Sequence, residues 1–425
     1  MQLAVNSLNF ALILWVFKLT DSNFAVSALI ISFYLPALIF GIAAGVFVDL
    51  WDKRKVIIII DFLLAILIFL FTIIKPSFPL ILVNAFLINT LNQFFMPAEN
   101  SSIPLLISKR NLFWANTLFS FTLYGSFMIG YTLAGPVFNL FGVDAIFYSG
   151  AICLSAAFFI SHGLPKLETK NGHTLSSGIL NLILTETKST YFFVKGKLSI
   201  VCAIVLLSGI QGMIGVLAVT IASYMERVLR IQATDASVFL MLPLGAGMVS
   251  GALVVGRFFQ SKPRRFIVIP AVIMGGILLF TVGIAPFLAR IFNALDLPEY
   301  IPHLRYFFNA PSLSSTFAVG AFLLGAAAVS IIIPSQTILQ EATNSENRGK
   351  IFAVLGVMMN AFALLPVVLA GGLADLFGVV PIYITLGIII FIIGIIALKP
   401  EIFLPEKYIP YSIREFLGLE HWDRK

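Results

Sequence analysis

Leu133-Ala-Gly-Pro-Val-Phe-Asn-Leu-Phe-Gly-Val143 returns further along the chain as Leu369-Ala-Gly-Gly-Leu-Ala-Asp-Leu-Phe-Gly-Val379, with seven of eleven positions identical at an offset of 236. Two further echoes follow it. Gly45, with Lys53 and Arg54 eight and nine positions on, is matched by Gly256 with Arg264 and Arg265 at an offset of 211, and Pro97 is matched by Pro334 at 237. An offset that steps once and then holds marks a duplicated unit with one insertion in its second copy. The insertion is the loop near 288–312, much longer than its counterpart near 75–78.

What the duplicated unit is follows from composition. Hydrophobic residues make up 59% of the 425 positions and charged residues 11%, and the mean hydropathy is +1.01. Soluble chains carry about 25% charged residues, so an ordinary soluble protein is excluded. A helix needs roughly 20 apolar residues to cross the hydrocarbon core. Spans of that kind lie near 3–19, 25–49, 56–74, 79–96, 112–139, 146–161, 198–222, 235–258, 266–287, 313–338, 351–374 and 380–398. The fold expected is therefore an all-α integral membrane protein with twelve transmembrane helices in two pseudo-symmetric six-helix bundles. Six helices separate the repeat copies, so both keep one orientation in the bilayer, related by an axis along the membrane normal. The domain division is 1–161, a linker 162–197, 198–398 and a tail 399–425. The linker, the outer insert 288–312 and the tail each mix apolar and aromatic residues with polar ones, as helices lying in the headgroup region do.

Loop charge sets the orientation. Of the 27 basic residues, 21 fall on one side: Lys53 to Lys55, Lys109 and Arg110, the linker lysines, Arg257 to Arg265, Arg348, Lys350 and the tail. By the positive-inside rule that side is cytoplasmic, which puts both termini inside a cell membrane. It also explains the net charge of +7 without a nucleic-acid partner. The first apolar run opens almost at Met1 with no cleavage site after it, and we expect a truncated or late-assigned start.

Catalytic and metal signals are missing from the sequence. No G-x-x-x-x-G-K-[ST] phosphate loop is present, the four histidines fall outside the spans, and Cys153 and Cys202 sit in apolar runs without metal spacing. We expect no enzyme, no metal and no cofactor. The isoleucine-rich, short-looped style looks bacterial, and we expect a monomer.

Gly45-Val-Phe-Val-Asp49-Leu-Trp-Asp52-Lys53-Arg54-Lys55, between spans 2 and 3, resembles the signature loop of the major facilitator superfamily. Leu50 departs from the pattern, where the family usually has a basic residue. Phe95-Met-Pro97-Ala98-Glu-Asn-Ser-Ser-Ile-Pro104 looks like the span 4 to span 5 loop of bacterial drug and macrolide exporters. Pro334-Ser-Gln336 through Gln340, then Glu346 to Phe352, looks like the matching loop of their second half. Lysophospholipid and siderophore carriers share parts of the pattern. The resemblance implies a secondary transporter without ATP hydrolysis. Gly41 and Gly45 would let two helices approach closely, and Asp49 would cap the eleventh helix near Gly349. Asp52, Lys53 and Arg54 would complete the cytoplasmic gate, with Arg264, Arg265, Gln340 and Arg348 in the second half.

An ionisable residue inside a span is costly and is the first functional suspect. Asp61 is the one lying clearly inside. It is either a proton-binding carboxylate or a structural acid bonded to Lys53, Arg54 or nearby backbone. The family's cavity is lined by spans 1, 4, 7 and 10. Here those and neighbouring spans hold Asn6, Asn9, Tyr34, Asn89, Asn92, Gln211 and Asn360, with Trp15, Phe95, Tyr124 and Tyr131 as further aromatics. Each Asn has an alternative use as a bond between helices. An apolar cavity with uncharged polar groups suits a hydrophobic or amphiphilic substrate. The expectation is proton-driven export of such a compound. Lysophospholipid or other lipid translocation is the second reading, and a non-transporting sensor or scaffold the third.

Overall fold

The computed structural model describes residues 1–74, 77–108, 111–165, 198–258, 265–294, 310–341 and 345–398. The linker from 166, the centre of the outer insert and the tail lie outside these residues. The first half contains α1 (Gln2–Thr20), α2 (Asn23–Leu50), α3 (Lys53–Ile74), α4 (Phe78–Leu106), α5 (Leu112–Phe141) and α6 (Val143–Ser161). The second contains α7 (Leu198–Ser223), α8 (Leu242–Phe258), α9 (Arg265–Ala294), α10 (Ala310–Glu341), α11 (Ser345–Phe377) and α12 (Val380–Leu398). Among the described residues eleven stretches are long and apolar enough to cross a membrane, and α5, with 30 residues, completes the twelve.

Several helices outrun their apolar runs. The Phe95–Pro104 stretch, read from sequence as a loop, is the last part of α4. Its serines turn inward on their own helix: Ser101 Oγ donates to Pro97 O at 2.7 Å and Ser102 Oγ to Ala98 O at 2.6 Å. Such back-bonding satisfies the hydroxyls within the helix, at a slight cost in its stability and straightness. The Pro334–Gln340 stretch is likewise the end of α10, and α9 takes in the beginning of the outer insert. Two wide π-helical segments interrupt the second half, Tyr224–Leu229 after α7 and Ser237–Met241 before α8. Arg230, with φ 57°, ends the first of them.

The duplication read from sequence is visible in the backbone. Gly142 ends α5 with φ 79° and Gly378 ends α11 with φ 81°. Both donate their N–H four residues back, to Phe138 O and Ala374 O, each at 3.0 Å. Positive φ is a conformation that glycine takes readily, so the repeated Phe-Gly-Val ends both helices on a glycine of that kind. Helix pairing repeats as well: α2 packs on α4 as α8 packs on α10, α3 on α4 as α9 on α10, and α3 on α6 as α9 on α12.

The chain divides into two compact units, Met1–Phe192 with Gly349–Val368, and Phe193–Arg348 with Leu369–Lys425. The first part of α11 thus belongs with the first half, a difference from the division at the linker. The reason is its packing on α2. Ser27 Oγ donates to Val367 O at 2.8 Å, and a Cβ on Gly41 would stand 3.2 Å from Val357 Cγ2.

Candidate functional site

The α2–α3 turn is ordered by its own residues. Trp51 stacks on Phe47 at 5.4 Å and on Phe94 of α4 at 6.3 Å between ring centroids. Asp52 Oδ1 accepts the Arg54 N–H at 3.0 Å, capping the start of α3 as an acid before a helix N-terminus does. Arg54 reaches away from the turn, and its Nη2 donates to His162 O at 2.6 Å. That carbonyl ends α6, where a cation meets the negative end of the helix dipole. Gate charge pairs were expected for Lys53 and Arg54. The contact found for Arg54 instead ties α3 to α6 within the first half, and Lys53 is 7% exposed.

Gly41 does make the close approach expected of it, on Val357. Around Gly45 no described atom lies within 4 Å of where its Cβ would be. The α2–α11 contact runs antiparallel from Ser27–Val367 to Gly41–Val357. Continuing that register carries the backbone of position 49 to the level of residue 349, in the first turns of α11. The side chains of Asp49, Gln340 and Arg348, and all of Arg264, lie outside the described residues. Arg265 opens α9, its guanidinium 4.8 Å from the Phe266 ring centroid.

Asp61 is 1% exposed. Its Oδ2 accepts from Ser161 Oγ at 2.8 Å, and its Oδ1 is buried with no hydrogen-bond partner among the described residues. The expected partners were Lys53, Arg54 or neighbouring backbone. The partner found is a serine one hundred positions away, on the last turn of α6, next to the carbonyl that Arg54 holds. No local pattern marks Ser161. Pairing helix α3 with α6 is what would have found it.

The cavity residues divide by what their polar atoms do. Asn89 Nδ2 donates to Ala85 O at 2.9 Å and Asn360 Nδ2 to Gly356 O at 2.7 Å, so both amides turn back on their own helices. Asn92 accepts from Gln2 Nε2 at 3.5 Å, and the same nitrogen lies 3.0 Å from Met96 Sδ. Asn6 packs where α5 passes α1, its Cβ 3.1 Å from a Cβ placed on Gly130. Asn9 Oδ1 is buried without a hydrogen-bond partner among the described residues. Tyr34 lies within electrostatic reach of Tyr131, whose ring packs on Phe10 at 5.2 Å and Phe127 at 4.4 Å. Gln211 is half-buried on α7. Trp15 and Phe95, expected near the cavity, are core residues: Trp15 sits edge-on to Phe147 at 5.5 Å, and Phe95 is 4% exposed. Asn84 is a bond between helices, donating to Leu67 O of α3 at 2.8 Å.

Sequence reading missed a polar cluster in the second half. Thr220 Oγ1 donates to the Tyr383 hydroxyl at 3.1 Å, and the Tyr224 hydroxyl donates to Val282 O at 2.8 Å. Tyr224 stacks on Phe317 at 5.4 Å and leans on Tyr383 at 5.0 Å. These contacts join the end of α7 to α9, α10 and α12. Among the described residues, no group of three or more His, Cys, Asp or Glu could hold a metal. A groove of about 680 Å³ runs along the first half, lined by Trp51, Asp52, Lys55, Ile59, Leu63 and Phe94 among others.

Relatives agree with this architecture along most of the chain. The sequence model of the Major Facilitator Superfamily matches residues 1–295 and 303–411. An uncharacterised MFS-type transporter, YfiS, of Bacillus subtilis (strain 168) is 24% identical over 393 residues, 90% of this chain and 86% of that protein. Macrolide efflux protein A of Streptococcus pyogenes is 22% identical over 416 residues, 92% of this chain and 90% of that one. Among solved structures, a D-xylose-proton symporter superposes with a TM-score of 0.66 at 13% identity, covering 97% of both chains. A bacterial homologue of the human lysosomal transporter Spinster, inward-facing and unoccupied, gives 0.62 at 14%, covering 98% of this chain and 96% of the other. With its duplicated six-helix plan, signature turn and family match, the chain belongs to the major facilitator superfamily, as a multi-pass membrane transporter and not an enzyme.

Proposed function

We propose that the protein exports a hydrophobic or amphiphilic compound by alternating access, driven by inward proton flow. The halves 1–161 and 198–398 would rock about a central site, with the linker 162–197, the tail 399–425 and both termini on the cytoplasmic side of a bacterial cell membrane. The observation that carries the proton-driven part is Asp61, an acid buried inside a helix with one oxygen that no described residue partners. Burying an ionised carboxylate without full pairing is costly, so the residue is suited to gaining and losing a proton. Export is supported by the full-length likeness to a macrolide efflux protein. The polar groups on α1, α4 and α11 are uncharged amides, which suits a lipophilic substrate. Position 49, level with the start of α11, supports a gate at that end of the first half.

Accumulation of a macrolide panel in cells expressing wild type or Asp61→Asn tests this. Wild type lowers accumulation, and both the uncoupler and the substitution restore it. Export untouched by the uncoupler would overturn the proton-driven account. A lipid or lysophospholipid translocator is the second reading, favoured by the apolar groove with Asp52 and Lys55 at one end. It is recognised by lysolipid movement with no response to any macrolide.

A further inference from the structure

Two residues of α3 hold the end of α6. Ser161 Oγ donates to Asp61 Oδ2 at 2.8 Å, and the carbonyl of the next residue, His162, accepts from Arg54 Nη2 at 2.6 Å. Arg54 and Asp61 are seven residues apart on α3, two turns and about 10 Å along the axis, so they share one face. Asp61 takes the serine and Arg54 the carbonyl beside it.

The second half shows what this helix pair can do without. At the offset of 211 Asp61 corresponds to Val272, and at 237, the offset of Gly150 and Gly387, Ser161 corresponds to Leu398 at the end of α12. Acid and hydroxyl are thus replaced together by two apolar residues, while Arg54 keeps a counterpart in Arg265. Val272 packs against the cluster of Ile210, Val268, Ala271, Ala327 and Ile331, and α9 still pairs with α12. Packing alone therefore does not require the polar pair.

Asp61 is 1% exposed and Ser161 9%. Among the described residues Ser161 is the one hydrogen-bond donor to the carboxylate. Such a bond is stronger to an ionised carboxylate than to a neutral acid, so the hydroxyl bears on how readily the acid releases its proton. It does so only at hydrogen-bond distance, and fixing the end of α6 fixes that distance. The Arg54 bond one residue on is charge-assisted and favoured by the helix dipole.

We propose that Ser161 and Arg54 are positioning residues for Asp61: Arg54 pins the end of α6, and the pinned serine hydroxyl tunes proton exchange at the carboxylate. The proposal rests on Asp61 being the proton-binding acid of the proton-driven reading. Asp61 gains or loses one H⁺ at oxygen, and no other covalent bond is made or broken. Charged or titratable groups on the surrounding elements are Lys53 and Arg54 on α3, Asp49 on α2, Glu99 on α4, the Met1 amino group before α1 and His162 after α6. A Ser161 variant leaves all of them in place.

The test is an infrared pH titration of the purified full chain in lipid nanodiscs, following the carboxyl C=O band that Asp61→Asn removes. Ser161→Ala should move its midpoint to higher pH by at least about half a unit, a threefold change in proton affinity. Ser161→Thr, which keeps the hydroxyl, should restore the wild-type midpoint. Ser161→Cys, a weaker donor, should move it part of the way and carries the test if the alanine variant does not fold. Arg54 is bonded to His162 and not to Asp61, yet Arg54→Ala should move the midpoint in the same direction. In a Ser161→Ala background Arg54→Ala should add nothing. A midpoint unmoved by loss of the hydroxyl, or an equal Arg54→Ala shift with and without it, would overturn the proposal. A band that Asp61→Asn removes but Ser161 variants leave unmoved would sink the positioning roles alone. If Asp61→Asn removes no titrating band, the proton-binding role of Asp61 falls and the proposal with it.

Discussion

The α3–α6 pair and the α9–α12 pair occupy equivalent places in the two halves, yet different chemistry holds them. Between α3 and α6 the contacts are made by side chains. Ser161 bonds Asp61, Arg54 bonds the last carbonyl of α6, and Phe71 stacks on Phe147 at 5.2 Å while Phe62 and Phe69 meet Phe158 and Tyr148. Between α9 and α12 the backbones themselves meet. A Cβ on Gly276 would lie 2.5 Å from Phe391 N, and one on Gly387 2.5 Å from Phe280 N. Small residues that let backbones touch are the usual means of association inside lipid, where no hydrophobic drive separates helix from tail. The repeat still shows through. Gly150 on α6 and Gly387 on α12 are 237 positions apart, the offset of the prolines, but a Cβ on Gly150 meets side-chain atoms, Ile68 at 3.2 Å and Ala4 at 4.0 Å. The first half has kept room for polar side chains and the second has closed that room with glycine.

The largest effect should come from filling the glycine contact. Gly276→Val or Gly387→Val should cost about 3 kcal/mol or abolish folding, read as a lowered thermal midpoint in detergent. Next, Ser161→Ala leaves both Asp61 oxygens without a donor among the described residues. It should cost about 1–2 kcal/mol, and more at high pH than at low pH, because the ionised carboxylate needs the donor more than the neutral acid does. Unfolding curves at two pH values check the sign. Tyr224→Phe removes the bond to Val282 O and should cost about 1 kcal/mol with no such pH dependence. Smallest of all, Gly150→Ala should cost less than about 1 kcal/mol, since Ile68 can turn aside. A cost for Gly150→Ala as large as for Gly276→Val would erase the contrast between the halves.

The duplication and all twelve spans were legible in sequence because apolar runs of membrane length and a repeated Phe-Gly-Val turn leave few alternatives. Helix ends were not, because the apolar run of the fourth span was read to end near 96 while the backbone of α4 continues to Leu106, its serines bonded to their own helix. At the site, Asp61 stood out by its charge, whereas Ser161 did not. A serine at the end of one helix gains meaning only when α3 and α6 are packed together. The amides were harder still. Asn89 and Asn360 turn back on their own helices and Asn84 bridges two, a choice made by helix rotation that residue type does not encode.

Proton release on substrate addition tests the central claim most directly. Everted vesicles carrying wild type, loaded with an interior-acid pH gradient, should lose part of that gradient when a macrolide is added. Asp61→Asn vesicles should keep it. An equal collapse in both, or none in wild type while export continues, would contradict a coupling acid in the first half.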